Sequence, residues 1–300
     1  MGSHTGRWCE RLAGLPSRPD SLFSGPGLQR AIAGSRPRAA ALLAVTLLSG
    51  AGATWALGLP EPNNRDALRR IVQQDCLVHW QTQHDPAPCL QITVPAPSQR
   101  ARGYAVLPDR KGGAHFLLIP TQTLTGIEDP RVLQAGSVNY FAAAWKAREY
   151  LAAVVGHALR RESVGLAVNS ALQRGQDQLH IHIECLQPRL YDELRSAGEA
   201  LGNHWSDIRI EDSPYQAMRI MGGDLGKSNP FELLARRLPR AAKAMGAYTL
   251  VVAGMQFAAG PGFIVLAGRT APSRPSSLAS DPAWARPGET LLDGSCALER

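Results

Sequence analysis

The run Gln176-Asp177-Gln178-Leu179-His180-Ile181-His182-Ile183-Glu184-Cys185 constrains the chain more than any other stretch. At period two it divides cleanly: Gln178, His180, His182 and Glu184 fall on one face, Leu179, Ile181 and Ile183 on the other. Such a segment is a strand with a core-facing apolar side. Its other side carries two imidazoles roughly 7 Å apart, at a rise near 3.3 Å per residue. Two unpaired imidazoles sealed in a core are costly, so that face is expected to open on a site.

Three readings compete for it. The plainest is a half-exposed polar face of an antiparallel strand. The second is a metal pair, but a catalytic zinc takes about three protein ligands, and no His-Glu-x-x-His or further Cys/His cluster stands nearby. The third makes His180 a nucleophile towards phosphorus. A neutral imidazole attacks a phosphoryl centre without a metal, and the phosphoramidate is opened by water once its nitrogen is protonated.

The same run resembles the motif strand of histidine-triad nucleotidyl hydrolases and transferases, whose middle histidine is the nucleophile. More narrowly, the chain resembles the bacterial CDP-diacylglycerol pyrophosphatases. The matching pieces are Glu61 to Cys76, Pro88-Cys89, Leu118-Ile119-Pro120-Thr121, Gly126-Ile127-Glu128, Asn139-Tyr140-Phe141, Ala144 to Arg148, Val168-Asn169-Ser170, Asn229-Pro230-Phe231 and Cys296. The resemblance implies that His180 forms a transient bond to the phosphate attached to cytidine, releasing phosphatidate, and that water then frees CMP. It implies that His182 and Gln178 hold phosphate oxygens, and that Asn169 and the turn ending at Gln176 hold phosphate or ribose. Gln178 stands where the triad has its first histidine; an amide forms hydrogen bonds there but carries no titratable proton. The site set is thus His180, His182, Gln178, Asn169 and Gln176, with no metal and no cofactor. An alternative of another class is a non-catalytic exported domain that binds an anionic nucleotide or phospholipid, favoured by the glutamine in the first position.

The net charge of +7 divides unevenly. Residues 1–59 hold six arginines against Glu10 and Asp20, which leaves +3 for the rest. That mild excess suits a domain handling phosphates beside anionic lipid and argues against a dedicated nucleic-acid binder. Residues 1–38, rich in Arg, Gly, Pro and Ser, read as a disordered cytoplasmic leader. Residues 39–59 carry no charge and are long enough to span a bilayer, with the arginines before them on the cytoplasmic side. A cleaved signal peptide ending near Ala51-Gly52-Ala53 is the rival reading; the apolar run continues past that cut to Leu59, which favours the uncleaved anchor. Either way residues 60–300 are exported, to the periplasmic side of the bacterial inner membrane.

Export gives the cysteines a meaning. Cys9 stays on the cytoplasmic side, leaving Cys76, Cys89, Cys185 and Cys296 in an oxidising compartment. Three pairings are possible. The expected one is Cys76–Cys89, closing a short polar loop, with Cys185–Cys296 tying the tail to the motif strand.

The remaining segments predict an α+β fold. Asn64 caps a helix to about Asp75, with His79 and His84 in the solvated loop after it. Residues 103–107 and 115–119 form a hairpin; His115 is placed either facing a site or, as is commoner for a lone strand histidine, at the ordinary surface, and the second reading is the expected one. A helix spans about 138–155, strand 163–169 precedes the motif strand, and helices start at Pro188 (to about Leu201) and Pro230 (to about Met245). A short strand covers 217–221, residues 248–253 and 262–267 form a final hairpin, and 270–300 is a Pro/Ser-rich, largely irregular tail. The expected whole is a histidine-triad-like antiparallel sheet with helices mainly on one face, behind one N-terminal transmembrane helix. Its expected partners are CDP-diacylglycerol and the bilayer.

Overall fold

The computed structural model describes residues 64–271 and 283–300. The leader and the apolar run therefore lie outside the described residues. No helix among the described residues is long and apolar enough to cross a membrane.

The architecture is α+β. Among the described residues the strands form one antiparallel sheet: β1 (Gln91–Thr93), β2 (Tyr104–Pro108), β3 (Phe116–Pro120), β4 (Val164–Val168), β5 (Ile181–Leu186), β6 (Ser206–Ile210), β7 (Ser213–Met221), β8 (Tyr248–Phe257), β9 (Gly260–Arg269) and β10 (Leu292–Asp293). Their order is β1-β2-β3-β5-β4-β8-β9-β7-β6, and β10 pairs with β5. The central strands are not half-buried alternations. Val164 to Val168 and Phe263 to Ala267 are apolar or glycine throughout and buried throughout, as strands covered on both faces must be.

Helices accordingly lie on both faces, not mainly on one. One cross-strand row runs Leu117, His182, Ala167, Val251, Leu266, Ala217. On this side α5 (Pro188–Ala197) buries Leu190 and Leu194 against Ala167, Val251 and Leu266. At the other end of the same face, Val72 and Cys76 of the N-terminal helix cover Ala105, Leu107, Leu117 and Ile119. The opposite side carries Phe116, Ile183, Leu166, Val252 and Val265, and is covered by α3 (Tyr140–Ala147) and α4 (Glu149–Val155). Tyr150 of α4 meets Phe116, and Trp145 of α3 meets Phe263 edge-on at 4.8 Å between ring centres. Asn139 starts α3 by accepting from the Ala142 N–H, and α6 (Pro230–Arg237), capped by Asn229, joins this layer through Phe231 on Phe141. Burying side chains of this size contributes about 2–3 kcal/mol each.

The N-terminal helix differs from its expectation in extent and in cap. It comprises α1 (Ala67–Arg70), a π-helical stretch Ile71–Cys76 and α2 (Leu77–Gln83), so His79 is helical and His84 closes it in the left-handed conformation. Neither Asn64 nor Asp66 caps with its side chain. The free Leu68 N–H instead donates to the Gln176 amide oxygen, 3.1 Å away across the fold. The helix at Pro230 ends at Arg237, earlier than its basic face suggested, and β6 and the first four residues of β7 were not foreseen.

Cys76 is bonded to Cys89, and Cys185 to Cys296. Residues 283–300 hold only a two-residue strand and short 3-10 turns, yet they pack against the sheet. Leu291 and Leu292 are buried, and β10 takes the edge of β5 where β3 ends.

Candidate active site

The site lies on β5 and the extended segment leading into it. His182 sits in its row between Leu117 and Ala167, at the seam between the layer formed by the N-terminal helix and that of α5. Regular strand begins only at Ile181, so Gln178 and His180 belong to the approach. Leu179 and Ile181 still alternate into the opposite core, which fixes the direction of the histidines.

His180 is 8 % exposed, and its Nδ1 lies 2.7 Å from the Gln178 carbonyl oxygen. A carbonyl only accepts, so Nδ1 carries the proton and the Nε2 lone pair is left for chemistry. Burial pushes the imidazole below its ordinary pKa and outweighs the carbonyl contact, which acts the other way. The ring is neutral near pH 7, the state a nucleophile needs. His182 crosses it edge-on with 5.1 Å between ring centres, and burial, then the neighbouring His180 and His115, hold its pKa well below the usual value.

The fold gives the other expected residues different partners. Gln178 is fully buried, and its amide nitrogen donates to the carbonyls of Pro120, at 3.0 Å, and Gln122, at 2.9 Å. Both amide protons are committed; the atom without a hydrogen bond among the described residues is the acceptor, Oε1. It is therefore not placed to donate to a phosphate oxygen. Gln176 is spent on the N-terminal helix, accepting from Leu68 N–H and donating to the Asn64 carbonyl. Asn169 reaches the site, where its Oδ1 accepts from the Glu289 N–H at 3.2 Å. Ser170 bonds to Thr270 and turns away from the histidines.

Three side chains outside the expected set enter the site. His115, expected at the surface, is 2 % exposed; its Nε2 lies 2.8 Å from Glu184 Oε1, 3.2 Å from His182 Nδ1 and 3.7 Å from Asp109 Oδ2. The antiparallel pairing of β3 with β5 is what brings it there, and a single histidine in a strand carries no local trace of such a pairing. Glu184 shares the histidine face in the sequence pattern and becomes the carboxylate under it. Glu289, from the 3-10 turn Gly288–Leu291, puts Oε2 3.2 Å from His182 Nε2, off the hydrogen-bond line, so Nε2 has no hydrogen-bond partner among the described residues. The Cys185–Cys296 pairing was the one signal that the tail would come here.

These contacts assign the His182 proton. The hydrogen bond joins His115 Nε2 to His182 Nδ1; with the His115 proton on Nε2, beside the Glu184 carboxylate 2.8 Å away, His182 Nδ1 is the acceptor and the proton of neutral His182 is on Nε2. His115, His182 and Glu184 also form a set of three metal-ligating groups with ligand atoms within 4.8 Å of one another. The set leaves out His180, so it differs from the His180–His182 metal pair weighed from the sequence, and His115 joins it by tertiary approach.

The approach segment is itself locked. Asp177 accepts from Arg65 and Arg174, and Arg174 reaches on to Glu128 at 2.8 Å. The hydrogen bond from Arg65 is the first cause that pulls the Asp177 carboxyl down to about 2. With Asp177 N–H on the Arg65 carbonyl and Leu179 N–H on that of Leu124, the backbone ahead of His180 is tied on two sides.

A family model described as CDP-diacylglycerol pyrophosphatase matches residues 63–300. A CDP-diacylglycerol pyrophosphatase of Yersinia pestis is 38% identical over 215 residues, which is 71% of this chain and 80% of that protein.

Proposed function

The chain belongs to the CDP-diacylglycerol pyrophosphatase family, and on that premise we propose how its residues carry out the hydrolysis of CDP-diacylglycerol. His180 Nε2 attacks the phosphorus attached to cytidine. An N–P bond forms as the P–O bond to phosphatidate breaks, and the leaving oxygen takes the bonding pair. A phosphate monoester leaves far more readily than an alkoxide, so little acid assistance is required. Water then adds to phosphorus, the N–P bond breaks, and CMP is released with His180 restored. His182 Nε2–H donates to a non-bridging oxygen as charge gathers there, with Glu184 and His115 setting its tautomer. Asn169 stands beside it, within reach of phosphate or ribose.

The single observation that carries this reading is the 2.7 Å contact from His180 Nδ1 to the Gln178 carbonyl, which frees Nε2 in a buried, neutral ring. Replacing His180 by Ala is expected to lower CMP release at least about 10³-fold with the fold retained. Radiolabelled nucleotide quenched on the parent enzyme should be trapped on His180. Near-normal turnover in H180A, or full-speed turnover with no trapped label, would overturn the nucleophile.

The fold class belongs to the same proposal: the Gln-x-His-x-His run leading into an antiparallel strand supports a histidine-triad-like arrangement. So does the location. The uncharged residues 39–59, with arginines before them, support an uncleaved anchor in the bacterial inner membrane and a periplasmic catalytic domain. A substrate with two acyl chains is confined to the bilayer, and a tethered enzyme searches a surface instead of bulk water. Mature protein beginning at Thr54 would refute the anchor.

A further inference from the structure

We infer that His115, Glu184 and His182 form a binding site for a first-row divalent cation, zinc foremost, on the side of His182 that faces away from its Nε2. The inference is independent of whether His180 is the nucleophile. It rests on the positions of three atoms. His115 Nε2 and Glu184 Oε1 are 2.8 Å apart, His115 Nε2 and His182 Nδ1 3.2 Å, and His182 Nδ1 and Glu184 Oε1 3.8 Å. The circle through three points with those separations has a radius of about 1.9 Å. Zinc binds imidazole nitrogen and carboxylate oxygen at about 2.0–2.2 Å, so an ion equidistant from all three sits about 0.7 Å out of their plane. In a regular tetrahedron the centre stands one third of a bond length from each face, again about 0.7 Å for such bonds. The three side chains hold three corners of a tetrahedral site, and the fourth is left to solvent or an anion.

The donor chemistry agrees. Two imidazoles with one carboxylate is a zinc-type set, and all three side chains are 5 % exposed or less. An ion there replaces the proton on His115 Nε2, and Glu184 supplies the charge that makes a buried cation tolerable. Ligation at His182 Nδ1 leaves the ring proton on Nε2, so the ion enforces the tautomer that the hydrogen bonds select without it.

Cobalt(II) tests this directly, because four- and five-coordinate complexes absorb strongly in the visible where six-coordinate ones are weak. The purified full chain, stripped with chelator, is titrated with Co2+ and then with competing Zn2+. The expected result is one Co2+ per chain with a strong visible band that Zn2+ displaces. Affinity should fall at least about 10-fold in Glu184→Gln and in His115→Gln, and be unchanged in His180→Ala. A weakly absorbing complex, binding undiminished in both ligand variants, or loss of binding in His180→Ala would overturn the site. Should the ligand variants not fold, the spectrum of the parent chain decides alone. His180→Ala separates the two readings, since it should abolish turnover and keep the metal.

Discussion

The two disulfides make a quantitative comparison possible within one molecule. Cys76–Cys89 spans 13 residues and Cys185–Cys296 spans 111. If a cross-link stabilises chiefly by removing loop entropy from the unfolded chain, the first contributes about 3 kcal/mol and the second about 5, a difference of about 2 kcal/mol. All four cysteines are buried, at 0 %, 4 %, 0 % and 1 % exposure, so the packing lost on changing each pair to alanine is similar and largely cancels. The perturbation is therefore a pair of double variants, Cys76→Ala with Cys89→Ala and Cys185→Ala with Cys296→Ala. Urea unfolding followed by intrinsic fluorescence, extrapolated linearly, reads the two losses. The second double variant should be the less stable by about 2 kcal/mol. It should also lose turnover at temperatures where it remains folded, because its bridge anchors the segment that carries Glu289. Equal losses, or a larger loss for the short loop, would refute the entropic reasoning.

Replacing His182 by Ala removes the Nε2–H donor and should lower kcat by about 10²–10³-fold with a smaller change in KM; a loss confined to KM would show that His182 only binds. Asp177 bears on acid stability. Its folded pKa, about 2, is depressed below the ordinary value, so its contribution is present above about pH 4 and is lost as pH falls towards 2. With its side chain 33 % exposed, screening limits that contribution to about 1 kcal/mol. Asp177→Asn should thus be less stable than the parent at pH 6 and match it near pH 2, and a gap independent of pH would remove the ion pair as its cause. Gly254→Ala should cost about 1–3 kcal/mol in urea unfolding, because a Cβ there meets the Arg161 carbonyl and lies 2.6 Å from Trp145 Cη2; unchanged stability would mean that the α3 layer yields more easily than its packing suggests.

The motif run announced its strand and its two histidines because period two is a local signal, written in ten consecutive residues. The helices starting at Pro188 and Pro230 were readable for the same reason, each with proline at its first turn. What escaped was everything that depends on two distant segments meeting. His115 becomes a buried partner of Glu184 only through the pairing of Leu117 with His182, and nothing near His115 records that register. Gln176 and Gln178 were expected on phosphate or ribose; the fold uses them on the Leu68 N–H and on the carbonyls of Pro120 and Gln122, orphans created by the chain's own path. The helices on the second face were legible in principle. Val164 to Val168 and Phe263 to Ala267 offer no polar side to water, and such strands demand cover above and below.

The pairing of β10 with β5 sets an order of events during synthesis. The ribosome delivers His180 and His182 more than a hundred residues before Glu289, Leu292 and Cys296. Until those later residues arrive, β5 keeps an open edge beside Cys185, and the carboxylate of Glu289 is absent from His182. A nascent chain halted between the two therefore owns its pair of histidines but not the carboxylate and strand that finish the pocket around them, and that pocket is whole only after β10 has been threaded home.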